Sequence, residues 1–257
     1  MLQFFVNLNR RLAGELATRF PTFFGAPSPS YLDEIRHRII TTIGRDKPSV
    51  VMEAGGVDRP ILYRSVNYHY IGLDIEKRPE CEHLYDEFIT QSIEQPIPVP
   101  VDMIVSFTLL EHVPNNRLVM AAAYNALRPG GSMHHYIPSA FHPYSLMLRL
   151  VGPKIQRILI PILRPGTEDV TGYPAFFNHC SPDQMENIIR EQGFTSIDIQ
   201  AYYRANDYFA FFIPAYIVVT VFENLCRWLG IRRFASGFVV SATKVAGIPG
   251  AINNCQL

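Results

Sequence analysis

Glu111 and His112 stand just past the apolar run Met103 to Phe107, and His142 stands shortly after a second such run, Met133 to Ile137. A neutral imidazole placed there can take a proton from a hydroxyl acceptor, and a neighbouring carboxylate can orient it. His112 has a second reading, as a brace for its own loop, and His142 reads equally as an ordinary loop histidine. His134 and His135 are adjacent inside a strand, so they point to opposite faces and cannot act as a pair. His179 and Cys180 precede a helix cap and read as loop residues. Cys81, Cys180, Cys226 and Cys255 are scattered, with no Cys-x-x-Cys pair and no histidine at metal-ligand spacing. The pattern predicts no metal and a reducing compartment. With no nucleophilic triad either, it argues against hydrolysis and for a reaction that needs mainly positioned reactants.

The elements that must hold these residues follow from periodicity. Val101 to Gly131 runs strand, Glu-His, helix, Pro-Gly-Gly and strand, an α/β crossover with a site at the carboxyl edge of its first strand. Strands are expected at Ser49–Ala54, Tyr68–Asp74, Met103–Phe107, Met133–Ile137, Thr195–Tyr203 and Ser236–Lys244, with a short one within Glu82–Phe88. Helices are expected over residues 2–20, after the cap Ser30, after Pro60, from Asn115 or Asn116, and from Ser181 to Gly193. Pro21 to Pro29 reads as a loop, and Pro48 as the entry to the sheet. The alternation predicts an α/β fold, a Rossmann-like, mostly parallel seven-stranded sheet with helices on both faces. Residues 1–47 form an N-terminal helical segment, and 48–257 one domain with insertions at about 141–178 and 204–234.

Basic and acidic side chains balance at 23 each, so no global field draws the chain to nucleic acid. Arg10 and Arg11 follow the first apolar residues instead of preceding them, so the amino terminus reads as retained rather than as a signal peptide. These features predict a cytoplasmic protein.

In order and spacing, four segments resemble the class I S-adenosylmethionine-dependent methyltransferases, within them the type 11 or UbiE-like group. They are Val-Val-Met-Glu-Ala-Gly-Gly at 50–56, Ile-Gly-Leu-Asp at 71–74, the run Asp102 to Val113, and Ala-Leu-Arg-Pro-Gly-Gly at 126–131. The resemblance covers roughly 48–203 and the last strand. It implies S-adenosyl-L-methionine as cofactor and a small-molecule, lipid-linked or sugar-linked methyl acceptor. Gly55 and Gly56 would admit the cofactor's methionine half, Asp74 would hold both ribose hydroxyls, and Glu53 would brace the first loop. Ser92 and Ile93 would flank adenine, with Ser92 where a carboxylate is frequent, and Ser106 and Phe107 would pass beneath the cofactor. The family's first motif usually reads acid-x-Gly-x-Gly-x-Gly, whereas Val57 and Arg59 replace the second and third glycines here. Arg59 then reads either as a partner for the methionine carboxylate or as a solvated residue opening the next helix. The same departure motivates the alternative of a catalytically inactive binding or structural protein on this fold. A nucleotide-sugar or NAD enzyme is disfavoured, because the spaced glycines that admit a pyrophosphate are missing.

The 15 residues Tyr208 to Phe222 carry no charge. As a helix they would extend ~22 Å, short of a ~30 Å hydrocarbon core, and Pro214 lies inside them. Arg227, Trp228, Arg232 and Arg233 follow, and Tyr144 to Pro165 repeats the mixture with Arg149, Lys154, Arg157 and Arg164 and no acid. With the N-terminal helix these segments read either as a basic apolar face for anionic lipid at the inner side of a membrane, or as a cap on the sheet or a second subunit.

Overall fold

A computed structural model describes residues 2–26, 29–43, 49–163 and 173–246. Pro48 and Cys255, and the stretch 164–172 of the first expected insertion with Arg164 and Pro165, lie outside the described residues.

The helices are α1 (Leu2–Arg19), α2 (Pro21–Phe24), α3 (Tyr31–Thr42), α4 (Cys81–Leu84), α5 (Asn116–Ala126), α6 (Pro143–Leu163), α7 (Pro182–Glu191) and α8 (Ile213–Trp228). The strands are β1 (Ser49–Ala54), β2 (Tyr68–Asp74), β3 (Glu87–Thr90), β4 (Val101–Phe107), β5 (Leu127–Pro138), β6 (Thr195–Tyr202) and β7 (Gly237–Thr243). Among the described residues the strands form one sheet in the order β3-β2-β1-β4-β5-β7-β6, with β7 antiparallel to both neighbours and the other pairs parallel. This is the expected Rossmann-like sheet. Strand order reverses between β1 and β4, which opens a crevice at their carboxyl ends.

Alternating side chains of the buried strands supply two cores. Met52, Ile71, Ile104 and Met133 pack with α5 and α7 on one face, and Val51, Tyr70, Met103 and Val239 pack with Ile35 and Ile39 of α3 on the other. Ser30 caps α3 by accepting from Asp33 N, and Asn115 caps α5 by accepting from Arg117 N. Gly193, at φ +93°, ends the α7 segment as expected.

Four local expectations are corrected. No helix follows Pro60, because the main-chain donors that would start one are taken by side chains: Ile61 N bonds the Glu53 carboxylate at 2.9 Å and Leu62 N the Tyr70 hydroxyl at 3.3 Å. The third strand lies at Glu87–Thr90 and is preceded by the short helix α4, since Asp86 takes up Tyr70 N and O and sets the start of pairing with β2. The loop after Pro21 contains α2, with Pro21 in its first turn, where a missing N–H costs nothing. Pro214 likewise opens α8 instead of interrupting it, and the preceding apolar residues form a 3-10 turn at Asn206–Phe209.

The connections after β5 and after β6 leave the same edge of the sheet. α6 follows the carboxyl end of β5 and α8 that of β6, which runs parallel to β5 because each is antiparallel to β7. α1 joins them through a third small core, in which Ala13 and Leu16 meet Tyr144, Met147, Tyr216 and Val219. Asn9 of α1 accepts from Ile213 N, and Arg10 donates to Leu163 O. α1, α6 and α8 are thus one helical layer over the carboxyl edge. No described helix is long and apolar enough to cross a membrane.

Candidate active site

The loop after β1 approaches the crevice as bare main chain. Gly55 has φ +82°, and a Cβ there would stand 3.0 Å from the Leu109 side chain. A Cβ on Gly56 would collide with the Glu53 carboxylate and the Tyr85 hydroxyl. Gly56 is therefore demanded by what lies beneath it as well as by any ligand above. Val57 keeps a left-handed backbone at φ +42°, and its side chain packs against the second core. A β-branched residue in that region is strained by roughly 1–3 kcal/mol. Thr108, at the end of β4 across the crevice, shows the same feature at φ +52°. Arg59 is exposed on the rim, and its main-chain N–H donates to Gly56 O at 2.7 Å.

Glu53 lies under this loop. It is buried, accepts from Ile61 N and the Tyr70 hydroxyl, and is pushed up to about 7 by desolvation, which those bonds partly oppose. These bonds tie the end of β1 to Ile61 and to Tyr70 of β2. The loops after β1 and β2 are tied by Arg78, which bonds Asp58 at 2.8 Å and Glu76 at 3.1 Å.

Asp74 ends β2 half-buried, with Oδ1 accepting from Glu76 N at 2.9 Å. Desolvation raises its carboxyl above the usual range, against those main-chain bonds. After β3, Ser92 Oγ accepts from Glu94 N, and Ile93 is buried in the first core. Ser106 is fully buried and shares a 2.7 Å hydrogen bond with His135 Nδ1, so it lies within the sheet, below the crevice. Phe107 is half-buried and stacks on Tyr136, which stacks in turn on Tyr31 of α3. Gly55, Gly56, Asp74, Ser92, Ile93, Ser106 and Phe107 thus all fall at the carboxyl ends of β1 to β4, around the point of reversal.

The two candidate bases have different surroundings. His112 is about one third exposed, and its Nδ1–H donates to Pro174 O at 2.8 Å. Its other nitrogen, Nε2, carries a lone pair and lies 3.8 Å from Glu111 Oε1. Desolvation lowers its pKa, which keeps the ring neutral at pH 7. Glu111 is buried, its Oε2 has no hydrogen-bond partner, and desolvation pushes it up to about 8. His142 is buried rather than looped out. Its Nδ1 accepts from Tyr144 N at 3.3 Å, and its Nε2–H lies 3.1 Å from Glu223 Oε1. Both ring nitrogens are engaged.

Sequence reasoning missed Glu223 and Arg204, which extend this buried cluster. Glu223 Oε1 also accepts from Ala205 N, and Oε2 stands 3.7 Å from Arg204 Nη1. Arg204 in turn bonds Thr22 O, Gly25 O and Asn224. A lone acid in the apolar helix α8 was the available signal. Tyr85, whose buried hydroxyl has no partner under Gly56, had none.

The geometry agrees with comparison to known proteins. A family model described as a methyltransferase domain matches residues 27–199. The chain belongs to this methyltransferase-domain family. Haemonchus contortus phosphoethanolamine N-methyltransferase 2, in complex with phosphomonomethylethanolamine and S-adenosylhomocysteine, is a structural neighbour with TM-score 0.53 and 11% identity. The match covers 95% of this chain and 60% of that one, so the chain spans less than two thirds of that enzyme's length. A SAM-dependent methyltransferase from Archaeoglobus fulgidus matches with TM-score 0.50 and 13% identity, over 83% of this chain and 92% of its own. The cyclase SpnF matches with TM-score 0.51 and 14% identity, over 84% and 80%. At these identities the likeness is one of fold. No curated protein matches the chain.

S-adenosyl-L-methionine, expected from the sequence, is the cofactor of this class, and the crevice fits it. Gly55 and Gly56 bring main chain without a Cβ to the crevice, the Val57 side chain packs into the core, and a carboxylate ends β2.

Proposed function

We propose that this methyltransferase, of the type 11 or UbiE-like branch, transfers a methyl group to a small, lipid-linked or sugar-linked acceptor at the inner face of a membrane. The observation that carries the cofactor half is the juxtaposition, at the β1/β4 reversal, of the bare Gly55–Gly56 main chain with Asp74. In this reading residues 48–257 carry the reaction, and the helical segment 1–47 helps to cover its acceptor side.

Gly55 and Gly56 receive the methionine half, Asp74 the ribose hydroxyls, and Ser92 and Ile93 flank the adenine, with Phe107 below. Arg59, on the rim and bonded through its main chain to Gly56, is the partner for the methionine carboxylate. Glu53 and Ser106 act from beneath by fixing the loop and the strand end. Bound there, S-adenosyl-L-methionine supplies a methyl group already activated by its sulfonium. The protein has then to align the acceptor, exclude water and, for a hydroxyl acceptor, hold the departing proton. His112 is the group for that proton, because its Nδ1–H is spent on Pro174 O and its Nε2 lone pair is not. His142 positions the acceptor side through Glu223. The lipid-linked class is favoured over a freely soluble acceptor because the layer over the carboxyl edge is built of apolar helices.

A lipid extract incubated with the protein and methyl-labelled S-adenosyl-L-methionine tests this reading. Label entering the organic phase supports it. Label in an aqueous acceptor overturns the preference for a lipid-linked acceptor, and bound cofactor with no transfer to either phase favours the inactive alternative. His112→Asn should cut transfer about 10²–10⁴-fold with cofactor affinity retained. In the parent, transfer should rise with pH through a value below 6.5 and then level, since the neutral ring is the active form.

A further inference from the structure

The helical layer is built inside out. α1 docks through Val6, Asn9 and Ala13, while its apolar stripe of Phe5, Leu8 and Leu12 faces solvent together with Phe4, which is 73% exposed. The buried residues of α6 are the polar Ser145 and Gln156, whereas Leu150 and Ile158 are 88% and 67% exposed. α8 docks through Tyr216, Val219, Thr220, Glu223 and Cys226 and leaves Val218 67% and Trp228 81% exposed. A helix in contact with water normally turns its apolar stripe to the core. Three helices that meet in one small core instead present large apolar side chains to solvent.

The charge of the layer selects what covers it. Residues 2–24, 143–163 and 213–234 hold nine basic and two acidic side chains, and of the nine Arg232 is paired with Asp183 and Glu186 of α7. Of the two acids, Glu223 is buried beside His142 and Arg204, and Glu15 is paired with Arg11. Arg10 and Arg149 bond main-chain carbonyls, and Arg227 bonds an amide, partners that leave their charge in place. Trp228, the sole tryptophan, sits beside Arg227 at the end of α8, the pairing found where a protein meets lipid headgroups. A second copy of this surface would bring like charges together.

We propose that the outer faces of α1, α6 and α8 dock on an anionic lipid bilayer, lying in its interface without crossing it. The layer covers the carboxyl edge of the sheet, so docking brings the cofactor crevice to the membrane surface and gives a lipid-linked acceptor a short path to it. That use rests on the acceptor class proposed above. The docking itself does not.

Trp228 reports the contact directly. With the full chain, vesicles of phosphatidylcholine containing about one third phosphatidylglycerol should shift its emission to the blue, and pure phosphatidylcholine should do so at least tenfold more weakly. High salt should weaken binding, and Lys154→Gln should weaken it about fivefold. Leu150→Glu with Ile158→Glu should abolish it while melting temperature and S-adenosyl-L-methionine affinity stay at parent values. No shift with anionic vesicles overturns the proposal, and so does an equal shift with neutral ones. A lipid-free shift that tracks protein concentration, with a dimer in solution and no vesicle binding, assigns the face to a second copy and overturns it too. Cofactor titration of the same preparation reads the catalytic proposal separately, so vesicle binding without cofactor binding upholds the docking while that reading falls.

Discussion

Glu111 and Gly56 show how much of this site is held from below. The Glu111 carboxyl, pushed up to about 8 by burial, stays protonated in the folded protein between pH ~4.3, where the unfolded chain ionises, and about 8. Over that window the unfolded state has released a proton that the folded state keeps. The associated stability is full below the lower value and declines as pH rises, by about 1.4 kcal/mol per unit. Glu53 adds a decline of the same sign that ends near 7. Thermal melts from pH 5 to 8 should therefore fall less steeply for Glu111→Gln than for the parent, and parallel slopes would contradict the assignment. Gly56→Ala forces a methyl group onto Glu53 and Tyr85 and should cost about 1–3 kcal/mol, read as a melting temperature lowered by roughly 2–4 °C per kcal/mol. At this scale the sequence was legible in where the first two strands end, at Ala54 and Asp74. It was not legible at Val57 and Thr108, because a left-handed backbone is a property of φ that residue type usually signals through glycine, and here β-branched residues adopt it.

Among the elements, β1, β2 and the α7 segment could be read closely, since apolar runs bounded by Gly, Pro and cap residues leave little freedom. The loop after Pro60 could not, because its fate depends on Glu53 and Tyr70, which reach it only after the sheet has formed. The apolar stripe of α1 was correctly located, but periodicity cannot say whether a stripe faces core or solvent, and here it faces solvent. The buried His142–Glu223 pair joins the β5–α6 connection to α8. Removing His142 takes one partner from Glu223 and leaves Ala205 N and Arg204 beside it, so His142→Ala should destabilise by about 1–3 kcal/mol, and His142→Gln, which keeps a donor, by less. Chemical denaturation measures both, and an unchanged His142→Ala midpoint would show that the pair does not hold the layer.

For the whole molecule, strand order decides the division of labour. The reversal between β1 and β4 opens a crevice at the carboxyl edge, and the helical connections after β5 and β6 rise from that same edge. The class of enzyme was legible because four short segments keep their order and spacing along the chain. The acceptor was not, because methyltransferases of this fold combine one cofactor half with many acceptor halves. The central claim is that the crevice at Gly55, Gly56 and Asp74 binds S-adenosyl-L-methionine. Calorimetric titration of the full chain tests it most directly. The account predicts saturable one-to-one binding, weakened about 10–100-fold by Asp74→Ala through loss of a charge-assisted contact, with the fold unchanged by circular dichroism. No binding heat at millimolar cofactor, or binding that Asp74→Ala leaves untouched, would contradict it.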